Sequence, residues 1–386
     1  MDDGDHRMRA EYHGPRVETR MPGGPFDSLR SPCEDGSMTK NRALSALLSL
    51  ALSVLLLAVL VRQLRAGDLP RTLARIFLPA LAVYAALTLL SAGLRALRYR
   101  WLLRPQRIAA PDIVLVTLVR NAFDDLLPAR LGSLSYIYML NKRLGFSFES
   151  AAASFVVAFV YDFLTLGPFV VLAVVAVGAG PAALRSGPLL GAALAFMAVT
   201  GLAVWKLVPL LGFAIRIYAR LLRSWHLEQK RGAAVSLAKL NGMMDALRDI
   251  RRRKMGGRIF FVSLLIRLGK YLSLYALLFA LLRSQGLGLN DLSFAKTILG
   301  ITGAELTSAL PIKGLADFGT WESAWALAFR LMGFDPRWAV VSGIGVHLIT
   351  NLFEYGLGLA ALFLLSRPRR KRSVPPDPEP ITPPES

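Results

Sequence analysis

The sequence predicts an all-α integral membrane protein of about six full spans plus two re-entrant helical hairpins, arranged as an inverted repeat. Three observations carry that reading. The 386-residue chain is 54% hydrophobic and only 19% charged. It holds several charge-free runs of about 20 residues, the length a helix needs to cross a hydrocarbon core. Two otherwise apolar stretches are interrupted by proline, glycine and charge, at "NAFDDLLPARLG" (121–132) and "LPIKGLADFGTWE" (310–322).

Taken in order, residues 1–37 mix acidic and basic side chains with Gly and Pro and lack apolar periodicity, so a disordered tail is expected. The first apolar run begins too late for a short cleaved signal peptide, and Met38 is an alternative start. The membrane domain is expected over 38–365, with spans at Arg42–Arg62, Ile76–Leu94, Val156–Val177, Pro188–Trp205, Ile259–Leu282 and Ala339–Leu365. Residues 206–258 read as a cytoplasmic amphipathic insertion. Arg216, Arg220 and Arg223 share one helical face and Phe213, Ile217 and Leu221 another, the pattern of a helix lying in the headgroup plane. Leu237, Leu240, Met244 and Leu247 repeat in the same way, so a second such helix should follow. The tail 366–386 is basic, then proline-rich, which puts the C-terminus in the cytoplasm.

The formal charge of +20 does not point to nucleic acid, because the basic residues gather at the ends of apolar runs, where topology and anionic lipid account for them. A lone Cys33 excludes an internal disulfide. His6, His13, His226 and His347 have no metal-ligand spacing. There is no Walker-type glycine loop, nucleophile elbow or paired-histidine zinc motif, so neither cofactor nor metal is expected. Transport would be downhill or coupled to an ion gradient.

Counting crossings generates the hairpins. Arg95, Arg98, Arg100, Arg104 and Arg107 put the end of the second span inside, and Lys142 and Arg143 put the start of the next one inside too. Residues 111–140 therefore enter and return from the cytoplasmic side. By the same parity 283–338 begin and end outside, with 292–333 re-entering. Arg62, Arg65, Arg71 and Arg75 then fall outside, against the positive-inside bias.

Irregular backbone at membrane depth needs protein or water to satisfy its amides, so Pro128 and Gly132, and Pro311, Gly314 and Gly319, imply a polar cavity. One break offers Asn121, Asp124, Asp125 and Arg130; the other offers Glu305, Lys313, Asp317 and Glu322. Arg130 can fork onto a phosphate and Lys313 supplies a mobile point charge, while the carboxylates balance these cations, hold a cationic headgroup or carry protons. The alternative is that these charges are interfacial and only cap helix ends. Asp162, in mid-span, is either a partner of Arg130 or part of the path. His347, Asn351 and Glu354 form a polar stripe on the last span. Asn351 suits interhelical glue, and Arg267 and Lys270 are cations that could hold the stripe's carboxylate. Trp321 and Trp325 read as interface anchors. Glu322 would sit in the first turn after Gly319, either as a cap or as a counter-ion to Arg130 or Lys313.

The stretches "LLPARLGSLSYIYMLNKRLGFSFESAAASFVVAFVYDFLTLG" and "LPIKGLADFGTWESAWALAFRLMGFDPRWAVVSGIGVHLITNLFEYGLG" resemble the two signature regions of the lysylphosphatidylglycerol synthase transmembrane, or flippase-like, family. The resemblance covers Arg42 to Leu365 and carries Pro128, Arg130, Gly132, Asp162, Pro311, Gly319 and Glu322 into the candidate site. Ser133 stands where the family often has an acid, and His347 where a basic residue is common. What the resemblance implies is a multi-pass protein of the cell membrane, bacterial inner membrane included, that moves lipids or lipid-linked molecules between leaflets. Membrane lipids with a charged headgroup are then its partners. No aminoacyltransferase domain follows Leu365, so synthesis of an aminoacylated lipid by this chain is not expected. Two alternatives stand beside this flippase-like reading: a membrane-embedded lipid-modifying transferase, and a scaffold for lipid-synthesis enzymes.

Overall fold

In the computed structural model, residues 54–65, 67–103, 108–126, 132–178, 187–227, 230–307 and 318–367 are described. After a helical stretch over 54–61, the chain forms α1 (Asp68–Ala74), α2 (Leu78–Leu102), α3 (Ala110–Leu126), α4 (Gly132–Leu144), α5 (Phe148–Leu164) and α6 (Leu166–Gly178). It continues through α7 (Gly187–Ser224), α8 (Arg231–Arg252), α9 (Gly256–Leu282), α10 (Phe294–Thr307), α11 (Thr320–Leu331) and α12 (Pro336–Ser366). Among the described residues, five helices are long and apolar enough to cross a membrane: Leu78–Leu102, Phe148–Val177, Leu190–Ser224, Gly256–Gln285 and Pro336–Ser366. These are five of the six expected spans. Most of the first span, the N-terminal tail and nearly all of the C-terminal tail lie outside the described residues.

Local chemistry sets several boundaries. Ser147 caps α5 by accepting from the Ser150 amide, and Asp335 caps α12 by accepting from the Arg337 amide. The span Phe148–Val177 is interrupted at Thr165, which returns its hydroxyl to the carbonyls of Tyr161 and Asp162. Pro168, three residues on, has no amide for the Leu164 carbonyl. The apolar stretches around the two breaks divide as their Pro and Gly require, into α3 and α4 and into α10 and α11.

A few helix pairs carry most of the packing. α2 lies against α9; α3 packs on α4 and α10 on α11; α3 also meets α12, and α10 meets α6. Small residues permit the approaches. A side chain at Gly269 would collide with Ser91 where α9 meets α2, and one at Gly358 with Ala122 where α12 meets α3. One at Gly132 would collide with the backbone of Phe123 and Asp124, across the α3–α4 hairpin. Along α12, Asn351, Gly358 and Ala361 are buried while Leu352, Leu359 and Phe363 are exposed, the two-faced pattern of a span with a protein side and a lipid side.

Two expectations need correction. Phe213 to Arg223 do not form a separate helix in the headgroup plane; they continue the third of these spans as one 38-residue helix, about 57 Å long at 1.5 Å per residue. That exceeds a hydrocarbon core of about 30 Å, so the basic end extends past it. The second amphipathic helix exists as α8, but its stripe is turned to protein. Met244 and Leu247 are buried, and α8 packs on α5 and α7.

At the first turn of α12, Arg337 forks onto Asp68 of α1, with Nε–Oδ2 at 2.6 Å, and the Arg65 amide adds a bond to the same carboxylate. These contacts hold the Asp68 carboxyl down at about 2. Their contribution is therefore complete above the ordinary aspartate range near 3.8 and is lost as pH falls toward about 2.

Gly358 and Gly356 make a controlled pair, because a side chain at Gly356 meets nothing within 4 Å. Gly358→Leu should lower the thermal midpoint of the detergent-purified protein and Gly356→Leu should not. Equal midpoints for the two variants would mean that α12 does not depend on close approach to α3.

Candidate functional site

The helices converge on a polar cavity of about 270 Å³. α2 supplies Tyr84, Thr88, Ser91 and Arg95, spaced so that one helical stripe faces the space. α3 supplies Arg120, Asn121 and Asp124; α5 supplies Asp162 between Phe159 and Phe163. From the second half come Arg267, Lys270 and Ser273 of α9, Glu305 of α10, Trp321 of α11, and His347, Thr350, Asn351 and Glu354 of α12.

Charge at membrane depth must be paired or hydrated, and most of the wall is paired. Arg98, just behind it and fully buried, donates from Nη1 to Asp162 Oδ1 at 2.6 Å and to Ser263 Oγ at 2.8 Å, and from Nη2 to Asp162 Oδ2 at 3.2 Å. Arg267 reaches the same residue differently, donating from Nη2 to the Asp162 carbonyl at 2.7 Å. That carbonyl is near the end of α5, where the break at Thr165 leaves backbone acceptors over. The other end of the Arg267 fork donates to Glu305 Oε2 at 2.8 Å, and Lys270 Nζ lies 2.6 Å from Glu305 Oε1. Nearer α3, Arg95 donates to Asn121 Oδ1 at 3.1 Å, and Arg120 pairs with Asp124 at 2.5 Å.

Of the predicted site residues, Asn121, Asp124, Asp162 and Glu354 meet in this one cavity. Arg130, Lys313 and Asp317 lie outside the described residues, as does the side chain of Asp125. Glu322 is a correction, because it is not in the cavity wall. It is wholly buried, with Oε2 accepting from the Gly319 amide at 2.7 Å and Oε1 2.6 Å from His347 Nδ1. Gly319, at φ 85°, has the backbone conformation that glycine adopts without strain, which aims its amide at that carboxylate. Both oxygens are engaged, as in the capping role.

Among the described residues the ion-pair partner of Asp162 is Arg98. Arg267 and Lys270 hold Glu305 rather than the carboxylate of the α12 stripe. Asn351 is not interhelical glue through its amide, since its Nδ2 has no partner among the described residues. Trp325 is no interface anchor: it is fully buried, donates to Ser342 Oγ at 3.1 Å and stacks between Trp321 and Phe329. Sequence reasoning missed Arg95 and Arg98 as site residues because it used them as topological charges. Of the five arginines invoked for that end of α2, Arg104 and Arg107 lie outside the described residues and only Arg100 remains as an exposed charge. The signal was there in the helical register Ser91, Arg95 and Arg98, on the face turned to a mid-span aspartate. Arg120 was missed as well, although it stands one turn before Asp124.

Residues 46–358 match the lysylphosphatidylglycerol synthase TM region. The chain belongs to that family. The match takes in both hairpins, all the cavity-lining residues and the buried Arg98–Asp162 pair. A comparison with curated proteins finds no match. With its apolar helices, family membership makes this a multi-pass membrane protein with a lipid-related role.

Asp162→Asn should be strongly destabilising, by about 3–5 kcal/mol, because it leaves the buried Arg98 guanidinium without its counter-charge. Exchanging both partners for apolar residues, Arg98→Met with Asp162→Leu, should cost less than the single change. Reversible denaturation in mixed micelles measures both. A double variant weaker than Asp162→Asn would mean the pair contributes more than mutual neutralisation.

Proposed function

We propose that this member of the family is a flippase-like transporter, which shelters a charged lipid headgroup in the polar cavity while the acyl chains stay in the bilayer. The observation that carries the proposal is the cavity itself: both hairpins and spans from both halves contribute charged side chains to one space of about 270 Å³. A structural ion-pair network would not need such a space. Broken helices meeting around a polar site are the recurrent architecture of secondary transporters.

The packing scheme supports an inverted repeat. If α2, the α3–α4 hairpin and α5–α6 correspond to α9, the α10–α11 hairpin and α12, the most extensive contacts have counterparts. The pair α2 and α9 maps onto itself; α3 with α12 maps onto α10 with α6; α4 with α5 maps onto α11 with α12. Under this reading both hairpins are re-entrant, one from each side, and the C-terminus is cytoplasmic in a cell membrane such as the bacterial inner membrane. Alternation of the cavity between the two sides is the mechanism, driven downhill or by an ion gradient. Lipid-synthesis enzymes are natural neighbours for such a transporter.

Single cysteines test the topology. In 283–291 they should react with an impermeant maleimide on intact cells, and in 231–252 only after permeabilisation; the same sidedness for both would sink the inverted repeat. Function is tested in liposomes, by following a fluorescent phospholipid from the inner to the outer leaflet. Wild-type protein should speed its translocation without changing it chemically. Arg120→Gln should slow it about tenfold, the effect of losing a hydrogen bond to a charged group. A chemically altered lipid would favour the transferase instead, and neither result the scaffold.

A further inference from the structure

The pairings leave particular groups over, and these are not scattered evenly. Arg120 is nine-tenths buried and lines the cavity, yet its Nε and Nη1 have no hydrogen-bond partner among the described residues. Only Nη2 is engaged, by Asp124, and the guanidinium lies 5.6 Å from the Phe155 ring. Arg95 likewise holds Asn121 with Nη1 and leaves Nε unused. Beside them on α12, the buried Asn351 has an unused amide nitrogen. One turn on, Glu354 is half-buried, lines the same cavity and has no hydrogen bond or ion pair among the described residues. Since α3 packs on both α2 and α12, these groups belong to adjacent helices.

Unused donors on buried guanidiniums disfavour the empty site, and a singly charged, multiply accepting oxyanion such as a phosphodiester satisfies several at once. A carboxylate without a cation beside it asks for the opposite charge. We infer that the α2, α3 and α12 end of the cavity is a subsite for a zwitterion, a phosphodiester on Arg95 and Arg120 with a primary ammonium on Glu354. The assignment rests on the transporter reading only for what happens to the ligand after it binds. The remaining cations, Arg267 and Lys270, already share Glu305 and offer a less open place to an anion.

The same chemistry exists in an ethanolamine phospholipid and in free glycerophosphoethanolamine, so binding is measured for both. Protein held in nanodiscs is titrated calorimetrically with dihexanoyl phosphatidylethanolamine, dihexanoyl phosphatidylglycerol and glycerophosphoethanolamine. The ethanolamine lipid should bind about tenfold or more tightly than the glycerol lipid, the factor for one hydrogen bond between charged groups. Glu354→Gln should reduce that preference toward unity, and Arg120→Gln should weaken both lipids. Free glycerophosphoethanolamine binding as tightly as the lipid would keep the zwitterion and reject the lipid as its source. Equal binding of the two lipids by the wild-type protein overturns the assignment without any variant, and so does a preference that survives Glu354→Gln. Preferential binding with no translocation in liposomes would remove the transporter reading and leave the subsite standing.

Discussion

Arg98 sits fully buried in a helix that crosses the membrane, and its guanidinium rests on the Asp162 carboxylate and the Ser263 hydroxyl. Alone, either charge would carry an insertion cost of about 3 kcal/mol at mid-bilayer, and more on other scales. Together they tie α2, α5 and α9 at a single point, two helices of the first half and one of the second. The cavity lies directly beside this tie. Its shape depends on three helices that would otherwise have only weak mutual preference in lipid, where apolar packing offers no hydrophobic driving force.

Backbone irregularity completes what the side chains begin. At the break the Asp162 carbonyl accepts from both the Thr165 hydroxyl and Arg267, whose other arm holds Glu305. One residue is thereby read twice, through its carboxylate by Arg98 and through its carbonyl by Arg267. The second hairpin uses the same economy at Gly319, whose amide is satisfied by Glu322 while that carboxylate also meets His347. In both places a helix end that water would normally satisfy is satisfied by a charged side chain from within. Small residues make room for this, since Gly269 and Gly358 sit where α9 and α12 cross their neighbours.

Much of this was legible in the sequence, for identifiable reasons. Span positions follow from apolar length alone, and the places where two apolar runs divide into helix pairs follow from Pro and Gly set inside them. The α12 stripe of His347, Asn351 and Glu354 is readable because helical periodicity survives the absence of any tertiary knowledge. What is not legible is the pairing. Arg95 and Arg98 look identical to the exposed Arg100 when charges are counted along the chain; only the face they occupy separates them. Arg267 and Lys270 belong to Glu305 and not to the α12 stripe, and chain proximity says nothing about which of α10 and α12 presents an acid to α9. The continuous α7 was hidden for a third reason: its basic, amphipathic end carries the composition of a surface helix while its backbone never breaks.

The pairs in the wall differ in how readily they could be exchanged. Arg98 and Asp162 come from different helices, are bonded at both arms of the fork and are backed by Ser263, so opening them would strand a buried cation. Arg120 and Asp124 are one turn apart on the same helix, and among the described residues only one of the guanidinium nitrogens is engaged. An incoming anion could therefore join Arg120 without expelling Asp124, and could leave again without exposing a bare charge, because the local partner stays one turn away. Glu305, held by two cations at once, has a similar reserve: if one of them moved, the other would still neutralise it. A site meant to fill and empty within a bilayer needs this separation between ion pairs that fix the helices and ion pairs that tolerate a guest. Here the first kind joins different helices and the second has a partner to spare.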